Sequence, residues 1–344
     1  MTKNVTGYQA HIQKGLLLNA NEASANLSAS LMQEVTDALP SVAFNRYPDN
    51  DEKELLEAYA EAFHLKSTQL LAGNGSDQML GFIIASYLGK GKTLYTFNPD
   101  FSMYDYYASS YEASVEKYVI EEDGSFDIDA FIETGKEKHA DLVMFSNPNN
   151  PSGHLLNRAE VIKIVTAFHD VPVVVDEAYI EFADTESMVY AVEEYDNLFV
   201  TRTLSKAFGL AGLRIGFLIS SQENMAKLKP QAVPYALNAL SMKIGTIVLS
   251  HAGEILTAAK NTVCERERVY EAVKNYNAAH FNPSQANFIY GRSEKKERLL
   301  DMFSEENIVI RNYAGKDSFR ITIGSPEENN AVLAVLQRFE EENA

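Results

Sequence analysis

Short continuous apolar runs separated by helical patterns constrain this chain's architecture more than any other feature. DLVMFS (141–146), VPVVVDEAY (171–179) and NLFVTRTLS (197–205) lack polar alternation and read as strands buried on both faces. DEKELLEAYAEAFH (51–64), SDQMLGFIIASYLG (76–89) and NRAEVIKIVTAFH (157–169) repeat apolar residues at helical spacing, with Met79, Leu80, Ile83, Ile84, Tyr87 and Leu88 on one stripe. This alternation predicts an α/β fold whose mostly parallel sheet is covered by helices on both faces. Ligands of such sheets bind beyond the carboxyl ends of the strands, and the polar motifs of this chain fall there.

The 344 residues divide into an N-terminal arm (1–35), a large domain (36–240) and a smaller α+β domain (241–344). The last opens with a helical stretch over about 240–278 and continues through NFIYGR and FRITIG. Lys and Arg number 30 against 48 Asp and Glu, a net charge of −18, which argues against a nucleic-acid surface. Cys264 is the only cysteine, so no internal disulfide forms and a reducing compartment is expected. Its helical context, NTVCERERVYEAV, gives it a packing role. The first residues lack an apolar signal core, and no apolar run spans a bilayer. A cytoplasmic protein with no membrane partner is the expectation.

Four motifs carry chemistry. AGNGSDQ (72–78) ends a strand in glycines and opens a helix at Ser76, which either caps that helix or helps form an anion site. FSNPNNPSG (145–153) ends another strand in Asn-Pro steps, as a plain turn or as a support aiming the Asn150 amide at a ligand. VVVDEAYIEF places Asp176 at the end of a buried strand, where a carboxylate needs a cationic partner, with Tyr179 three residues on. A nucleotide-binding reading of Asp176 with GKGKT (89–93) fails: the required first glycine is Ser86, and the loop runs from helix to strand. No metal is expected. TLSKAFGLAGLR (203–214) sets Lys206 after Thr203 and Ser205, with Arg214 eight residues later. A lysine, a buried aspartate, a tyrosine, an asparagine and a phosphate cradle together meet the needs of pyridoxal phosphate. The lysine forms a Schiff base, the aspartate keeps the ring nitrogen protonated, and hydroxyls, amides and an arginine hold the phosphate.

With these pieces the sequence resembles the fold-type-I aminotransferases, and among them the histidinol-phosphate aminotransferase family. The resemblance runs nearly end to end through LNANE (18–22), NRYP (45–48), GNGSD (73–77), NPNNPSG (147–153), DEAYIEF (176–182), RTLSKAFGLAGLR (202–214) and FRITIG (319–324). It implies that Lys206 carries the cofactor, that Asp176 pairs with its ring nitrogen, and that Asn150 and Tyr179 bond its phenolic oxygen. It further implies that Tyr104 stacks on the ring and that Ser76, Asp77, Thr203, Ser205 and Arg214 surround the phosphate. Tyr47 is expected to reach the phosphate of a partner subunit, so that a homodimer completes the site. Substrate contacts implied in the same way are Tyr8, Asn21, Tyr235, Arg311 and Arg320.

The implied reaction converts L-histidinol phosphate and 2-oxoglutarate into imidazole acetol phosphate and glutamate, in histidine biosynthesis. An aromatic amino-acid aminotransferase, a decarboxylase of phosphorylated amino acids and an idle cofactor-binding protein are the alternatives. The chain departs from the family at Gln78, where an acid is common, at Ser152, where threonine is usual, and after Asn21–Glu22, where a proline and a glycine are missing.

Overall fold

The structure is a computed structural model that describes residues 14–344. Along the chain run β1 (Leu16–Leu18), α1 (Ala29–Ala38), α2 (Lys53–Phe63), β2 (Leu70–Asn74), α3 (Gly75–Tyr87), β3 (Thr93–Asn98), α4 (Met103–Ser110) and β4 (Ser114–Val119). Then come α5 (Ile128–Glu137), β5 (Leu142–Ser146), α6 (Arg158–Ala167), β6 (Val173–Asp176), β7 (Leu198–Thr203), β8 (Ile215–Ile219) and α7 (Gln222–Leu228). The C-terminal part holds α8 (Ala239–Ser250), α9 (Ala252–Val273), β9 (His280–Phe281), β10 (Phe288–Arg292), α10 (Lys296–Glu305), β11 (Ile308–Asn312), β12 (Ser318–Thr322) and α11 (Pro326–Asn343).

A seven-stranded sheet in the order β2-β8-β7-β6-β5-β3-β4 forms the centre, as the alternating pattern predicts. Successive residues of a strand feed different cores. Val143, Phe145, Val173 and Val175 pack on one face with α2, α5, α6 and α8, while Leu142, Met144 and Val174 pack on the other with α3, α4 and α7. This is why those strands show no polar alternation. The stripe on α3 is buried at Met79, Leu80, Ile83 and Ile84, with Leu88 just beyond the helix, and Tyr87 is half-buried.

One strand runs against the rest. β8 is antiparallel to both β2 and β7, and the motif reading did not single it out. The connection from β7, residues 204–214, is too short for the helical crossover that a parallel neighbour requires, so the chain reverses. That reversal makes the TLSKAFGLAGLR loop a compact structure at the sheet's carboxyl end.

A second sheet, β1-β11-β12-β10-β9, packs on α9, α10 and α11 around Phe303, Phe319, Leu336 and Phe339. β1 pairs in parallel with β11, so Leu16–Leu18, far from β11 in sequence, complete the C-terminal sheet. The helical stretch expected over 240–278 is two helices broken at His251. α8 is buried against α2, whereas α9 presents one face, through Ala259, Arg266, Val269 and Val273, to the C-terminal part. Cys264, expected to pack, is exposed: two residues from Arg266 is about 200° around a helix.

The carboxyl ends of β6 and β7 are tied by a buried charge cluster. Arg202 Nη2 donates to Glu181 Oε1 at 2.6 Å, and Nη1 donates to Ser187 Oγ at 3.1 Å and lies 3.4 Å from Glu177 Oε2. The guanidinium lies 5.0 Å from the Phe63 ring centroid. Removing the cation would strand two buried carboxylates. Arg202→Met should therefore cost about 3–5 kcal/mol of stability, seen as a lower denaturant midpoint; an unchanged midpoint would contradict this account of the cluster.

Candidate active site

The carboxyl ends of the parallel strands, the TLSK loop and the β11–β12 hairpin enclose a cavity of about 1020 Å³. Ser76, Asp77, Asn150, Asp176, Tyr179, Thr203, Ser205, Lys206, Arg214, Arg311 and Arg320 all line it, from elements scattered through the sequence. Tyr104 and Asn21 stand behind its wall, Tyr47 and Tyr235 lie on the outer surface, and Tyr8 falls outside the described residues.

Asp176 ends β6 and is 3% exposed. Thr201 Oγ1 donates to its Oδ1 and Tyr104 OH to its Oδ2, both at 2.8 Å. Burial pushes this carboxyl up to about 6, against the lowering by those two hydroxyls. Tyr104 is thus a support for Asp176. It is fully buried and does not reach the cavity face expected of a stacking ring; Phe101, edge-on to it at 5.7 Å, lines the cavity instead.

Lys206 Nζ donates to the Ala20 carbonyl at 2.8 Å and lies 5.8 Å from the Tyr179 ring centroid. Burial, then the Arg320 and Arg214 guanidiniums, push it down from the ordinary 10.5 to about 8, against the pull of Glu22 and Asp77. A useful fraction of this amine is therefore uncharged, and nucleophilic, near neutral pH.

The phosphate-like corner forms where α3 begins. Asn74 supplies no side-chain cap, and Ser76 sits inside the first turn, so the simple capping role is not the one it fills. Gly75 has φ +79°, and a Cβ there would meet Arg214 Nη2 at 2.5 Å; only glycine lets the guanidinium lie against the helix start. Arg214 itself is left-handed (φ 51°), a strain of about 1–3 kcal/mol held by the Gly75 N–H on its carbonyl at 2.9 Å and by Asp77 Oδ2 at 2.7 Å. Its Nη1 reaches Ser205 Oγ at 3.5 Å, and Thr203 Oγ1 lies 2.9 Å from that same oxygen. Gln78, in place of an acid, accepts from Asn74 N at 2.5 Å, away from the cavity. Hydroxyls, helix amides and a guanidinium converge on one small volume, which suits a dianion.

Across the cavity, Arg311 and Arg320 are direct cross-strand partners. Like charges opposite each other destabilise a strand pair, so their placement answers to something other than sheet stability. Arg320 is 7% exposed; its Nη1 donates to Asn150 Oδ1, its Nη2 donates to the Asn19 carbonyl at 3.1 Å, and its buried Nε has no hydrogen-bond partner among the described residues. Asn21 is fully buried and donates to Tyr179 OH at 3.0 Å, orienting that phenol rather than facing the cavity.

Asp100 escaped the sequence reading. It lines the cavity, accepts from Phe101 N at 2.7 Å, Ser146 N at 3.1 Å and Ser146 Oγ, and burial pushes its carboxyl up to about 8. Ser146 Oγ in turn accepts from Asn150 N at 3.0 Å. Its signal was present: NPDF after β3 repeats the strand-end Asn-Pro of NPNN after β5.

A family model described as aminotransferase class I and II matches residues 13–336. The chain belongs to the class I and II aminotransferases. It is 35% identical to the histidinol-phosphate aminotransferase of Clostridium kluyveri over 324 residues, covering 93% of this chain and 92% of that one. It is 34% identical to the protein of the same name from Pyrococcus furiosus over 327 residues, covering 94% and 92%. Among solved structures, histidinol-phosphate aminotransferase from Sinorhizobium meliloti, in complex with pyridoxal-5'-phosphate, superposes with a TM-score of 0.86 at 21% identity, covering 95% and 91%. The Clostridium acetobutylicum enzyme gives 0.85 at 24%, covering 95% and 99%. At these identities the structural likeness speaks for the fold, which is the fold-type-I α/β architecture of the aminotransferases.

The Lys206 amine offers a direct check. The neutral amine is the reactive form, so a lowered pKa moves reactivity to lower pH. Acylation of Lys206 by a small reagent, followed by peptide mass spectrometry, should rise with a midpoint near 8 rather than near 10.5. A midpoint shared with the surface lysines would contradict the burial argument.

Proposed function

We propose that this aminotransferase uses pyridoxal 5'-phosphate to exchange the amino group of L-histidinol phosphate with 2-oxoglutarate, giving imidazole acetol phosphate and glutamate in histidine biosynthesis. The observation that carries the reading is the meeting of Lys206, Asp176 and the Arg214 corner in one cavity with two opposed arginines beyond them. The named relatives, at 35% and 34% identity, support the choice of substrate.

The residues fit the cofactor. Lys206 would bind its aldehyde carbon; Ser76, Asp77, Thr203, Ser205 and Arg214 would hold or orient its phosphate. Asp176 would face its ring nitrogen, Phe101 the ring, and Asn150 and Tyr179 its phenolic oxygen. When bound, the cofactor supplies an electron sink for the pair released at the substrate α-carbon. Asp176, already receiving two hydroxyls, keeps a proton on the ring nitrogen. Lys206 Nζ, once free of the cofactor, would take the proton from the substrate α-carbon and deliver it to the carbon it had itself been bound to, a task suited to an amine whose burial favours its neutral form. Arg320, by occupying Asn150 Oδ1, leaves the amide's Nδ2 donors to the ligand. Arg311 and Arg320 would take the phosphate of one substrate and the carboxylates of the other in turn, which a planar guanidinium allows.

We propose a cytoplasmic homodimer. Tyr47, 83% exposed, stacks on Tyr235 at 4.9 Å on the outer surface, which supports both rings serving the partner subunit's site together. No helix among the described residues is long and apolar enough to cross a membrane.

Visible absorbance of the cofactor-loaded protein tests the assignment. With no keto acid present, histidinol phosphate should bleach the lysine-linked cofactor at least about tenfold faster than phenylalanine. The reverse ranking would make the enzyme an aromatic aminotransferase, and release of CO₂ from an added phosphorylated amino acid would make it a decarboxylase. Lys206→Ala should lose at least the factor of about 10²–10⁴ that a positioned acid–base group contributes; retained turnover would overturn the mechanism.

A further inference from the structure

Lys296 is a cation in an unfavourable place. It is the first residue of α10, where the positive end of the helix dipole lies, and its side chain is only 5% exposed. Its nearby acid, Glu297 at 3.5 Å, is 82% exposed, and such a pair is worth little. What meets Nζ is backbone. It donates to the Tyr313 carbonyl at 3.1 Å and to the Lys316 carbonyl, both in the turn that joins β11 to β12.

That turn borders the substrate side of the cavity. Tyr313 and Lys316 line it, and Arg311, two residues before Tyr313, has its guanidinium 5.9 Å from the Tyr313 ring. The hairpin also carries the repulsion between Arg311 and Arg320 across its strands. The Lys316 N–H on the Tyr313 carbonyl and the Tyr313 N–H on the Ser318 carbonyl close the turn on itself, the Tyr313 ring meets Tyr290 edge-on, and the Ser293 N–H on the Asp317 carbonyl joins the Lys296 bonds in holding the turn to the start of α10.

We propose that Lys296 is a positioning residue for substrate binding, tying the β11–β12 turn to α10 and thereby setting where Arg311 and Tyr313 meet the substrate's anionic end. It rests on the proposed reading that these arginines receive substrate anions. Lys296 itself does not line the cavity, so its effect passes through the turn.

The test compares the cofactor-loaded parent with Lys296→Met, which keeps the stem and removes the donors. The expected result is a KM for histidinol phosphate raised about 5- to 50-fold with kcat within about twofold, the pattern of lost uniform binding. Cofactor affinity, titrated by absorbance, should stay at the parent value, and Lys296→Arg should restore most of the KM. A parent-like KM in Lys296→Met, or a joint loss of kcat and cofactor affinity, overturns the proposal. Should Lys296→Met not fold, Lys296→Leu, which likewise lacks donors, must raise the KM with kcat within about twofold; a parent KM there overturns the proposal equally. If the parent does not accept histidinol phosphate, the substrate reading fails, and the same comparison with glutamate as donor decides the role of Lys296.

Discussion

A carboxylate at the end of a strand buried on both faces has lost most of its water, and the rest of the site is arranged around making that tolerable at Asp176. Hydroxyls come to it from α4, through Tyr104, and from the adjacent strand, through Thr201. Burial still dominates, so the group is held above the ordinary carboxylate range and gains from a protonated nitrogen brought opposite it. A protonated aromatic nitrogen base is a ligand such a group stabilises, and Lys206 stands in the same cavity. In the proposed function the opposed arginines receive the anionic groups of the substrates at the other wall.

The N-terminal segment joins the two halves of this arrangement. Asn19 and Ala20 offer carbonyls to Arg320 and Lys206, while Asn21 bonds Tyr179 with its side chain and accepts from Asn287 Nδ2 at 3.1 Å with its carbonyl. A stretch of three residues thus touches Lys206, the Tyr179 phenol and Arg320. The left-handed backbone at Asn21 (φ 55°), a conformation asparagine tolerates better than most residues, turns the chain so that these contacts coincide.

Residues placed by strand ends were legible in the sequence, because a buried strand and its terminal polar residue leave a local signature. Asp176 after VVV, Ser76 after LLAGN and Lys206 after LFVTRT all belong to that group. Less legible were residues whose role depends on a neighbour far along the chain. Tyr104 reads as one more tyrosine in a tyrosine-rich helix, and nothing local shows that its hydroxyl turns to Asp176 while Phe101 takes the cavity face. Asp100 acts through Ser146, 46 residues away, and Asn21 through Tyr179, 158 away. β8 was hidden because its IGFLI run follows so closely on the catalytic-looking loop; only the shortness of that loop reveals an antiparallel return. The break at His251 was hidden because both flanking segments are good helices that bury different faces.

The central claim is that Lys206, of all the lysines, is the one the fold prepares for the cofactor. Borohydride reduction of the cofactor-loaded protein, followed by proteolysis and mass spectrometry, reads this directly. The account predicts a pyridoxyl group on the peptide containing Lys206 and on no other. Label spread over surface lysines, or fixed on a different residue, would contradict it.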